Sequence, residues 1–159
     1  MPGAVTLCPV VERPDADLAA SIVWFDAFVT NVERTARNTN MLMWHRRLWL
    51  IDHGAALYVH HDGDTYLERS RDPFPLIRDH VLLRAAGSLE AAAARMRAAL
   101  PAPIVHEIVA RIPGEWLAGE SAWSDPAQHR AAYAEYLLGR LESADLFLAE
   151  ALRARSLHL

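Results

Sequence analysis

Lysine is missing from this chain: all 16 basic residues among its 159 are arginine. Without a side-chain primary amine, Schiff-base chemistry and a lysine nucleophile are excluded. No lysine is available to grip nucleotide phosphates either. None of the 7 glycines falls in a G-x-G-x-x-G arrangement, so that phosphate cradle is absent as well. The single cysteine, Cys8, allows no internal disulfide framework and suits a reducing compartment. No apolar run approaches the ~20 residues of a membrane span, and residues 1–14 lack the basic leader and apolar centre of a signal peptide. A cytoplasmic protein is expected. The net charge of −4 gives no reason to expect nucleic acid or an anionic membrane as a partner.

What is present reads as one mainly α domain with a small β-hairpin, an α+β chain long enough for a real core. Residues 1–14 carry Pro2, Pro9 and Pro14 and are expected to be irregular; residues 15–155 form the domain. Asp15 caps a helix with an apolar stripe of Leu18, Ile22, Phe25 and Val29, ending near Asn31. Residues 32–40 are polar and predict a loop. Residues 41–44 and 48–51 are short apolar strands around His45-Arg46-Arg47. Asp52-His53-Gly54 then turns, the glycine being free to take φ > 0. A brief extension over residues 55–60 and a loop over residues 61–75 follow, then a short helix or apolar coil over residues 76–83. Ser88 caps an alanine-rich helix, Pro103 opens another to about Arg111, and Asp125-Pro126-Ala127-Gln128 begins a closing helix of about 26 residues. Its apolar face is Tyr133, Leu137, Leu141, Ala144, Leu148 and Leu152, at helical spacing.

The chemistry concentrates in residues 31–54. An acid, Glu33, is followed five positions later by an amide, Asn38, and a strand pair later by a second acid, Asp52, in an Asp-x-Gly corner. Such acid–amide pairs and Asp-x-Gly turns are each common alone. In this order they match phosphoryl-transfer sites, where one acid meets the substrate hydroxyl while the amide and the second acid hold Mg²⁺ under nucleotide phosphates. Arg34 follows the first acid and is placed to orient the loop or a phosphate, with a solvated loop arginine as the alternative. Asn40 competes with Asn38 for the metal, against a simple hydrogen bond at the strand start. Asp26 is placed to brace the loop from behind, Arg37 to face solvent, and His53 to pack or bond locally. Arg78-Asp79-His80 echoes a catalytic H-R-D, but Arg84 five residues beyond Asp79 cannot serve as a metal amide. His60-His61, near His45 and His53, lacks the helical pairing or cysteine partner of a zinc site.

The stretch N-V-E-R-T-A-R-N-T-N-M-L-M-W-H-R-R-L-W-L-I-D-H-G resembles the catalytic loop and metal strand of HipA-like kinases, whose pattern is N-x-D-R-x-x-x-N followed by an I-D-H-G strand end. F-P-L-I-R-D-H-V-L-L and A-Y-A-E-Y-L-L-G-R-L are also similar to that family, so the likeness spans roughly residues 15–150. The resemblance implies the carboxy-terminal lobe of a protein-kinase-like fold, with ATP and Mg²⁺ as cofactors and a protein Ser/Thr hydroxyl as acceptor. It implies Glu33 and Arg34 as catalytic residues and Asn38 and Asp52 as nucleotide-binding metal ligands. The family's Asp is Glu33 here, and the nucleotide-covering amino-terminal lobe falls outside these residues. A partner supplying that lobe, or a pseudokinase acting as a protein-binding module, are the two ways the chain would work.

Overall fold

The computed structural model describes residues 3–7, 14–57, 65–117, 123 and 125–157. Helix α1 (Ala16–Phe28) starts as its sequence dictates: Asp15 Oδ1 accepts from the amides of Asp17 and Leu18 at 2.9 and 3.2 Å, satisfying donors that the helix itself leaves over. Its packing is not the one-sided stripe expected. Leu18 is 45 % exposed, while Ala19, Ala20, Ile22, Val23, Trp24, Ala27 and Phe28 are buried. A helix apolar around its circumference runs through a core instead of lying on it, and α1 is packed by the helices Leu89–Ala99, Pro126–Glu142 and Ala144–Ser156. Trp24 stacks on Phe28 and meets Phe147 edge-on, with ring centroids 5.3 and 5.5 Å apart.

The sheet has three antiparallel strands in the order β1 (Val5–Thr6), β2 (Met41–Trp44) and β3 (Arg47–Leu50). The first corrects the expectation of an irregular start: Val5 lies opposite Met43 and Thr6 opposite Leu42. Two β-branched residues favour a strand but are too few to show an alternating pattern. β2 and β3 pair Met41 with Leu50 and Trp44 with Arg47, so the connection is two residues, not three. His45 and Arg46 take φ of 49° and 61°, the left-handed pair that lets a two-residue turn follow the strand twist. Met41, Met43, Leu48 and Leu50 share the face that joins the core, as alternation requires.

At the end of β3 the left-handed residue is Asp52, with φ 51°, and not Gly54 as the sequence suggested. Residues 54–57 turn; residues 58–60 of the expected extension lie outside the described residues. Within the stretch expected to be a loop, a one-turn helix α2 (Tyr66–Arg69) forms. A 3₁₀ turn, Pro75–Asp79, leads to α3 (Leu89–Ala99), capped by Ser88 Oγ on the Ala91 amide at 3.0 Å. Then come α4 (Ala102–Ala110), a second 3₁₀ turn (Gly114–Leu117), α5 (Pro126–Glu142) and α6 (Ala144–Ser156). Asp125 caps α5 as read, accepting from Ala127 and Gln128 at 2.7 and 2.9 Å.

The single closing helix is in fact two. Ser143 Oγ donates to Gly139 O at 2.5 Å and to Ser70 O at 3.0 Å, a back-bond that competes with the helix's own pattern. One turn earlier, Arg140 is wholly buried. It donates to Ala27 O at 2.5 Å, Phe28 O at 3.2 Å, Ser70 O at 3.3 Å and Asp72 O at 2.5 Å, and lies 4.5 Å over the Phe147 ring. Burial pulls its pKa below the usual arginine value, against the opposing influence of Tyr136 and Asp72. The carbonyls it meets include the negative end of α1, so a cation is at home there. No helix among the described residues is long and apolar enough to cross a membrane.

Candidate functional site

The loop after α1 is held by a buried ionic knot. Asp26, in the last turn of α1, has no exposed side-chain surface. Its Oδ2 accepts from Arg34 Nε at 2.6 Å and from His80 Nε2 at 2.9 Å, and its Oδ1 accepts from Asn31 Nδ2 at 3.0 Å. Leu82 N donates to His80 Nδ1 at 3.1 Å, so the imidazole proton sits on Nε2 and points at the carboxylate. Burial alone would raise the Asp26 pKa, but the hydrogen bonds from His80 and Arg34, with the Arg34 charge, outweigh it and hold the group below 3.8. A buried carboxylate with three donors is the arrangement that keeps the charged form.

From that knot the loop is built outward. Asn31 Oδ1 accepts from Glu33 N at 3.2 Å, which fixes the backbone of the first candidate acid. Thr35 N donates to Glu33 O at 2.8 Å and to Asn38 O at 3.0 Å, curling residues 33–38 into a tight turn. Arg34 Nη1 donates to Asn40 O and, at 3.4 Å, to Thr39 O. Its Nη2 donates to His53 Nε2 at 3.2 Å. Asn40 Nδ2 donates to Asp52 O at 3.3 Å, and Ile51 N to Asn40 O at 3.0 Å. One guanidinium therefore spans the two segments that carry Asn38 and Asp52.

Each residue singled out by sequence has a definite place. Glu33, Asn38 and Asp52 are exposed, and Arg34 is buried. Arg34 orients the loop from inside; it is not a solvated side chain. Asn40 is buried in the strand-start hydrogen bond, leaving Asn38 as the amide that faces outward. Arg37 is exposed. His53 bonds Arg34 and meets Phe25 edge-on at 6.3 Å. His60 and His61 lie outside the described residues, and among those described no group of three or more His, Cys, Asp or Glu is placed to hold a metal.

Two members of the knot escaped sequence reasoning. In sequence His80 stands only in a false H-R-D, yet it braces Asp26 from 54 residues away. Its Thr35 bridge and the Val81 N to Arg34 O bond at 3.0 Å lay residues 80–81 along the loop. Asn31, first residue of the N-x-acid-Arg pattern, links Asp26 to Glu33. Its place five residues after Asp26, at a helix end, was the available signal.

Compared with known families, residues 6–149 match the family of HipA-like kinases. The chain belongs to the HipA-like kinase family. No curated protein and no solved structure matches it. Kinase chemistry at the level of the family follows, with a nucleotide as co-substrate in general terms. In this HipA-like kinase chain, the loop that carries Glu33 and Asn38 is the one that Arg34 and Asp26 hold.

Proposed function

We propose that this chain acts as a kinase carboxy-terminal lobe, transferring the γ-phosphoryl group of ATP to a hydroxyl of a protein Ser or Thr. The observation that supports this reading best is the tie between the two ligand-bearing segments, Arg34 to Asn40 and His53, with Asn40 in turn bonded to Asp52. Asn38 and Asp52 are hard oxygen donors, exposed and carried on braced backbone, a donor set that fits Mg²⁺ with its retained waters. When bound, the ion neutralises charge on the phosphate oxygens. Glu33 takes the proton of the acceptor hydroxyl as its oxygen bonds to the γ-phosphorus and the bond to the departing ADP breaks. Arg34 keeps the loop in register, since its charge is committed inside. Adenine and the remaining phosphate contacts come from an amino-terminal lobe, in this or a partner chain, and the work is done in the cytoplasm.

Calorimetric titration of Mg-ATP into the protein and into Asp52→Ala tests the site. Binding weakened at least ~10-fold by the substitution, a loss of roughly one charged ligand contact, is expected. Equal heats from the two proteins, or no heat from either, would overturn the assignment.

A further inference from the structure

A cavity of about 250 Å³ opens on the loop that carries the candidate base, with Val32 in its wall. Thr30, Val32, Pro73, Phe74, Pro75 and Leu76 form most of its wall. Val32 precedes Glu33 in the chain, so the cavity and the acid are carried on one braced segment of backbone. Tyr136, almost wholly buried, forms the floor. Arg69 and Asp72, both half exposed, stand at the mouth and pair with each other at 3.3 Å. Their opposite charges leave the mouth without a net field, so the cavity is a poor receptor for phosphate or a metal ion. Its volume falls below the ~300–1,000 Å³ of pockets that enclose whole small molecules, but is of a size for one apolar side chain.

The wall is held at a conformational cost. Phe74 stands between Pro73 and Pro75 with φ 57° and ψ 67°. A residue before proline ordinarily takes extended backbone, and a bulky side chain rarely takes positive φ. Strain of this kind survives where the surroundings impose it, and it collects at ligand clamps. Here it turns the chain so that the Phe74 ring enters the core while Leu76 is left 48 % exposed at the opening.

We infer that this cavity is the specificity subsite for the phosphoacceptor: it takes a leucine-, methionine- or phenylalanine-like side chain close in sequence to the Ser or Thr that reaches Glu33. The inference rests on the phosphotransfer reading for the identity of the acceptor, and on the cavity alone for the apolar anchor. Glu33 selects a hydroxyl but nothing about its context; Val32, Leu76 and the strained Phe74 supply the context.

The test is peptide binding followed by methyl NMR of Val32 and Leu76, with no nucleotide present. The probes are soluble serine-centred peptides of alanine and glycine in which one leucine is moved stepwise past the serine. One register is expected to shift both methyl signals and to bind at least ~10-fold tighter than the leucine-free peptide, as burial of one aliphatic side chain provides. Leu76→Glu is expected to abolish that preference. Ile108→Glu, which alters an exposed side chain on α4 outside the cavity, is expected to keep it. Leucine and alanine peptides binding alike, or shifts that survive Leu76→Glu, would overturn the subsite. Leucine preference with no Mg-ATP binding would leave the anchor standing and remove the chemistry, so the two proposals fail separately.

Discussion

Arg34 Nε stands 2.6 Å from Asp26 Oδ2, and neither side chain has any exposed surface. The pair is costly to desolvate and costlier to break, because removing one partner strands the other's charge in the interior. Arg34→Met is expected to destabilise the fold by about 3–5 kcal/mol in urea unfolding. It also takes donors from Asn40 O, Thr39 O and His53 Nε2. Asp26→Leu combined with Arg34→Met should cost clearly less than the sum of the two single changes, since the groups act as one unit. Additive costs would mean that the two side chains do not share their energy.

The pH dependence follows from the same carboxylate. Its folded pKa lies below 3.8, held there by His80 and Arg34 against the effect of burial. Between the folded value and 3.8 the unfolded chain binds a proton that the folded chain refuses, so stability rises with pH across that window. The contribution is complete above the unfolded value and lost as pH falls through the folded one. Urea midpoints followed from neutral pH into acid are expected to fall more steeply below 3.8 for the native sequence than for Asp26→Asn. Parallel curves would show that other carboxylates carry the acid sensitivity.

Glu33 sets the third prediction. Against the aspartate of the family pattern, its extra methylene displaces the carboxylate by roughly a bond length, and misplacement of about 1 Å can cost about 100-fold in rate. Glu33→Asp is therefore expected to raise phosphoryl transfer to an acceptor peptide, by up to about 100-fold, in a radiolabel assay with the nucleotide-covering lobe supplied. Glu33→Gln, which cannot take the proton, should abolish it. A Glu33→Asp protein no faster than the native one would argue against proton abstraction at this position.

How much of this could be read beforehand depends on the range of the interaction. Asp15, Ser88 and Asp125 each cap a helix through amides two or three residues away, and each was legible. β2 and β3 were visible because their partners are neighbours in sequence. β1 was not, because its register is fixed by Met43 and Leu42 and not by its own two residues. The break at Ser143 depends on Ser70, and Arg140 is a polar interruption of a helix until Ala27 and Phe28 are known to lie against it.

In the candidate site, spacing singles out Glu33, Asn38 and Asp52 for the proposal, and the bracing task expected of Asp26 is borne out by its bonds to Asn31, Arg34 and His80. The position of Asn40 favours a strand-start hydrogen bond, and that is the bond Asn40 makes. Asn38 and Asn40 are both asparagines at a loop end, and the strand register buries one and leaves the other outside. Arg78-Asp79-His80 carries no H-R-D chemistry in sequence, and the importance of His80 lies in its bond to Asp26 and the tautomer that Leu82 imposes on it.

Arg140 reaches back across 112 residues to Phe28. On a ribosome adding about 5–20 residues per second, the segment that presents Glu33 is made many seconds before the guanidinium that closes off the helix in front of it. Until that late arrival the carbonyls of Ala27 and Phe28 lack the donor that they meet in the folded protein. The timetable of synthesis therefore leaves the end of α1 to be closed only once α5 has been made.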